Sequence, residues 1–182
     1  FTVLAVMLCN SMNSSPSAIG LYITSLMTTG PTSGAAFALP GVGDETRLWA
    51  LVRFAEEEGK HQEMLRRACS QFEAGFGTSC GLVPGREDVG DVVLGTSPLT
   101  ALLLTSMIEW FTQLHYVEHV RDRAALDELF RDILRFHWID ESRHARMDSL
   151  LIDEVAGELT ADQREQAIDQ LATFIAALVA GV

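Results

Sequence analysis

Residues 130–151, FRDILRFHWIDESRHARMDSLL, decide how the rest of the chain is read. At about 100° per residue, His137, Glu141 and His144 fall in one sector of a helix, roughly 60° wide, together with Phe130, Ile133 and Leu151. Two imidazoles and a carboxylate therefore share an apolar face. Burying a carboxylate without a counter-charge costs several kcal/mol or forces its protonation. A metal ion supplies such a counter-charge, so the sector reads as metal-ligating.

A second stretch, RFAEEEGKHQEMLRRA at residues 53–68, repeats the pattern. Glu58 and His61 have the Glu-x-x-His spacing of Glu141 and His144, and helical phase sets them on one face with Leu51, Phe54, Leu65 and Phe72. Cys69, on the same face, reads as a small core residue. Glu56, Glu57, Lys60, Glu63, Arg66 and Arg67 read as the solvated side. Either pair alone is a weak signal, because the spacing arises easily by chance. Two pairs, each mid-helix and each on an apolar stripe, could supply the two halves of a two-metal centre.

Composition narrows the setting. A chain of 182 residues is long enough for one sizeable core. The net charge of -12 lacks the basic footprint that nucleic acid or an anionic membrane requires, so neither is an expected partner. Cys9, Cys69 and Cys80 include no C-x-x-C pair, which argues against a disulfide framework or zinc ribbon and for a reducing, cytoplasmic location. The opening FTVLAVMLC has no basic residue before its apolar run, a poor match to a signal peptide, and reads as a cut N-terminus. No apolar run is long enough for a transmembrane span.

Residues 1–43 contain no charged residue and no His, so all 13 basic and 25 acidic residues lie further on. That segment reads as an apolar stretch over 1–12, a break at SSPS, a bundle helix over 17–29 and a Gly/Pro/Ser-rich loop over 30–43. Asp44 is a candidate N-cap for a helix running to about residue 76. The glycine-rich run at residues 76–95 breaks helical period and reads as a loop able to cover a site. Ser97 followed by Pro98 opens the next helix. There Glu109 shares a face with Leu102, Thr105, Gln113 and Tyr116, while Glu118 points away and His115 lies off the sector.

A charged turn at Arg121, Asp122 and Arg123 reverses the chain. If the reversal centres near residue 124, equal rise in antiparallel helices sets Glu109 about level with residue 139. Glu109 then joins the His137, Glu141 and His144 group. Tyr116 faces the same way as a packed aromatic, and Asp148, one turn past His144, could orient that imidazole. Thr160 and Gln163 have capping-box spacing, opening a last helix whose Ile168, Leu171, Phe174, Ile175 and Leu178 form a stripe for packing or for a homodimer.

Carboxylates mixed with imidazoles suit iron or manganese, whereas structural zinc more often recruits thiolates. Two Glu-x-x-His pairs with a further Glu on another helix is the ligand pattern of ferritin-like di-iron bundles. In the order Glu58, His61, Glu109, His137, Glu141, His144, the chain resembles the arylamine (aminobenzoate) N-oxygenase type of di-iron protein, which carries an extra His one turn before its second motif. The phrases EEEGKHQEM and FHWIDESRHARMD are also similar to those of uncharacterised bacterial ferritin-like proteins. The resemblance spans residues 44–155 and leaves the first 43 unmatched.

What the resemblance implies is an all-α, ferritin-like four-helix bundle with an additional C-terminal helix. All 182 residues would form a single domain: 1–43 with the first helix, 44–155 with the metal-binding helices, 160–182 with the packing helix. It implies Glu58, Glu109 and Glu141 as bridging or terminal carboxylate ligands and His61, His137 and His144 as imidazole ligands. The cofactor would be two irons per chain, with manganese as the other candidate, activating O2 to oxidise a small organic substrate. The chain departs from the family at one ligand. These bundles take a further Glu from their first helix, and the family spacing lands on Ile23, within a segment that has no carboxylate at all. Glu45 is no substitute, lying about 20 Å along the same helix from Glu58. The alternative reading is therefore a ferritin-like metal-binding or structural protein with an incomplete, catalytically impaired centre.

Overall fold

The computed structural model describes residues 45–77 and 95–180. The helix expected over 17–29, the Asp44 cap and most of the loop over 76–95 lie outside them. Among the described residues every regular element is helical: α1 (Glu45–Phe76), α2 (Pro98–His115), a π-helical turn (Tyr116–Val120), α3 (Glu128–Glu158) and α4 (Ala161–Ala180). None is long and apolar enough to cross a membrane. Helix α1 belongs to one compact unit, and α2 to α4 belong to another.

Helix α1 buries Leu51, Phe54, His61 and Leu65, with Glu58 on the same line. Steps of three and four residues make a narrow stripe, and the remaining faces are left to charge. On the solvated side Arg66 and Arg67 both donate to Glu63, at 2.8 and 2.6 Å, and hold its carboxyl down at about 2. The buried stripe stops at Leu65. Phe72, which helical phase assigns to the same face, is exposed and instead stacks on Phe76 at 4.4 Å. Gly77, at φ 64°, closes the helix with its N–H donating to the Glu73 carbonyl at 2.9 Å, a backbone conformation that suits glycine.

In the second unit, Ser97 caps α2 by accepting from the Thr100 N–H at 3.1 Å, with Pro98 in the first turn. The last turn of α2 is tied to the first half of α3: Gln113 Nε2 donates to the Trp138 carbonyl at 3.1 Å, and Tyr116, in the π-helical turn, stacks on Trp138 at 4.8 Å. Val120 and Leu134 complete that cluster. Asp127 caps α3 by accepting from the Phe130 N–H at 3.1 Å. Phe130, expected on the inward sector, is exposed, because it lies in the first turn of α3, beside the solvated reversal.

The Thr160 and Gln163 capping box forms as expected, with Gln163 Oε1 accepting from Thr160 N at 2.9 Å and Thr160 Oγ1 accepting from Gln163 N at 3.3 Å. Docking of α4 differs from the expected apolar stripe. Ile168 is exposed, and Leu171, Phe174 and Ile175 are half-buried. The buried contact is Ala167, whose carbonyl lies 3.2 Å from Thr100 Oγ1, while Gln170 Oε1 takes Thr100 Oγ1 at 2.7 Å and Ser97 N at 3.1 Å. Close approach to the start of α2 needs a small side chain, and the capped turn supplies polar partners that an aliphatic stripe could not use.

Candidate metal centre

Helix α3 carries the denser half. His137, Glu141 and His144 are each at most 5% exposed, on the face that also buries Leu134, Ala145, Asp148 and Val155. Steps of four and three residues hold the three donors on one line, so any change of helical register would turn all of them outward together. Glu141 is gripped from both sides: Oε1 lies 2.8 Å from His137 Nε2, and Oε2 lies 3.4 Å from His144 Nδ1. Helix α1 carries the other pair, with His61 Nδ1 3.4 Å from Glu58 Oε1. His61 is buried and Glu58 nearly so, its side chain 13% exposed.

The two Glu-x-x-His pairs thus share one carboxylate-to-imidazole distance, 3.4 Å, which is compatible with chelation. A good N–H to carboxylate hydrogen bond is shorter, about 2.7–2.9 Å. Two donor atoms each about 2.1 Å from one ion at a roughly tetrahedral angle stand about 3.4 Å apart. Each pair is therefore spaced as a chelate. His137 is different: at 2.8 Å it is at hydrogen-bond distance from Glu141, which suits a residue that fixes the carboxylate, or a ligand once that bond is exchanged. Within its own unit, each pair, Glu58 with His61 and Glu141 with His144, offers two donor atoms that could ligate a metal ion.

Glu109 is 4% exposed on α2. Gln113 and Trp138 fix the register of α2 against α3, and counting back along both helices sets Glu109 about level with residue 142. The sequence expectation of 139 falls short because the reversal contains the π-helical turn and runs on to Asp127, so its centre lies further along the chain. Either register brings Glu109 to the height of Glu141. Glu118 is exposed, as its phase requires. Tyr116 is buried against Trp138 as a packed aromatic, and Asp148, one turn beyond His144, is 2% exposed.

Two buried hydroxyls of α2 have partners within the helix: Thr105 donates to the Ala101 carbonyl at 2.9 Å and Thr112 to the Ile108 carbonyl at 3.2 Å. They leave the acid chemistry of that helix to Glu109. Gln113, not singled out by the sequence reading beyond its face, proves to be the anchor that sets the height of Glu109. An amide one turn after a buried acid, on the same face, was the available signal. Comparison with protein families, with curated proteins and with solved structures gave no match.

Proposed function

We propose that this chain is a ferritin-like di-iron carboxylate protein, in which both Glu-x-x-His pairs contribute to one metal centre that activates O2 for oxidation of a small organic substrate. The observation that carries the reading is the matched 3.4 Å carboxylate to imidazole spacing in two buried pairs, too long for a strong hydrogen bond and right for chelation. Mixed oxygen and nitrogen donors favour iron or manganese. Glu58, His61, Glu141 and His144 would hold the metal, with Glu109 as a further carboxylate. His137 would orient Glu141 or join the ligands. Bound iron would supply the redox chemistry; the buried setting of the donors would keep bulk water from it.

The first test is metal content per chain after anaerobic Fe(II) loading, for the parent and for Glu141→Ala, followed by O2 uptake. Two irons per chain, lost in the variant, with iron-dependent O2 uptake, support the enzyme. A parent that takes up O2 no faster with iron than without it sinks that reading. A second reading, a metal-binding or structural bundle without turnover, is favoured by the absence of any carboxylate in residues 1–43, where the family's first-helix Glu would fall. It predicts about one metal per chain, a stabilising effect of that metal and no response to O2.

A further inference from the structure

The end of α2 carries two histidines that the buried centre does not use. His115 is the last residue of the helix and His119 lies in the π-helical turn that follows. In that wider turn the hydrogen bonds span five residues, as the Arg121 N–H to the Tyr116 carbonyl at 2.9 Å shows, so a side chain four positions on returns almost above the first. The two imidazole rings face the same side, with centres 5.8 Å apart and planes inclined at 45°. Two ring nitrogens each about 2.0–2.1 Å from a shared ion hold their ring centres roughly 5–6 Å apart. The rings already stand at that separation.

We propose that the imidazole pair His115 and His119 forms a second, solvent-facing metal site for a borderline divalent ion of the zinc, nickel and copper class. Imidazole pairs select such ions over magnesium and calcium, which take oxygen donors. Glu118 Oε2 lies 3.8 Å from His119 Nε2, beyond hydrogen-bond reach, and adds a local negative charge. Both side chains are open to solvent, so an ion can arrive without disturbing the core. Burial, then the neighbouring His119, lower the His115 imidazole below its usual value, which favours the neutral form that a metal takes. The overall charge of -12 draws cations to the surface.

The experiment is a titration of the full chain with Zn2+ in the absence of iron, followed through the histidine side-chain resonances, on the parent, His119→Gln and Glu141→Gln. The expected result is that the His115 and His119 signals move together in the parent and in Glu141→Gln. In His119→Gln the His115 response should need at least about tenfold more Zn2+. Signals that stay still in the parent, or a His119→Gln chain that responds at the parent's Zn2+ concentration, would overturn the proposal. Loss of the response in Glu141→Gln would overturn it too, since the two sites would then not be independent. The outcome does not depend on whether iron binds at the buried pairs.

Discussion

At the scale of single residues, Glu141 is the side chain on which most of α3's buried polarity converges. Its two oxygens lie 2.8 Å from His137 and 3.4 Å from His144, and all three are almost fully buried. Glu141→Ala takes away the acceptor facing His137, and a buried donor stripped of its acceptor costs about 1–3 kcal/mol. Glu141→Gln keeps an amide oxygen for His137 while removing the charge a metal needs. In chelator-treated protein, urea unfolding should therefore show Glu141→Ala clearly destabilised and Glu141→Gln much less so, although both lose metal. Equal destabilisation would mean that the carboxylate charge itself stabilises the metal-free fold. These residues were legible in the sequence because chemistry and helical phase agree: polar groups at core positions stand out against an apolar stripe. Phe130 and Phe72 were misread for the complementary reason. Phase assigns a face, but it does not say where along a helix the packed partner ends, and both rings lie beyond the buried part of their stripes.

At the scale of elements, the starts of α2 and α4 were readable from their caps. Ser97 with Pro98 and Thr160 with Gln163 each form the expected hydrogen bonds. The π-helical turn was not readable, because nothing in YVEHV distinguishes a five-residue hydrogen-bonded turn from an α-helical one. How α4 docks was hidden as well, since a Thr, an Ala and a Gln far apart in sequence make the contact. Thr100→Val replaces the hydroxyl that meets Ala167 and Gln170 with a methyl group of similar size, at a cost of about 1–3 kcal/mol. Amide exchange should accelerate along α4 and change little at the Gln113 and Trp138 junction; uniform acceleration would refute a local docking role. On α1, the Glu63 carboxyl is lowered from an ordinary 4.5 to about 2 by Arg66 and Arg67. A carboxyl lowered in the folded state stabilises it above its unfolded value, and this contribution is lost as pH falls from about 4.5 through about 2. Because the Glu63 side chain is open to solvent, salt screens the effect, and the sharper readout is the titration itself. Its carboxyl carbon signal should titrate near the ordinary value in Arg66→Ala/Arg67→Ala and well below it in the parent.

At the scale of the whole molecule, the proposed function turns on whether the Glu58 and His61 pair and the Glu141 and His144 pair serve one centre or act separately. The two pairs lie 83 positions apart in the sequence, counted between Glu58 and Glu141, and have the same internal spacing. Similar pairs are equally compatible with two independent chelates, so their coupling has to be measured. Mn2+ suits the measurement, because it takes the same oxygen and nitrogen donors without reacting with O2. An ion held only by the folded chain raises stability by about 2.7 kcal/mol at a hundred times its dissociation constant. With a shared centre, Glu58→Ala and Glu141→Ala should each abolish most of the Mn2+-dependent rise in Tm, and the double variant should lose no more than either single one. Such non-additivity is the signature of groups that act as a unit. With separate chelates, each single variant would keep about half of the rise and only the double variant would lose it all. That result would remove the common centre from the proposal and leave two surface-independent metal pairs on a helical scaffold.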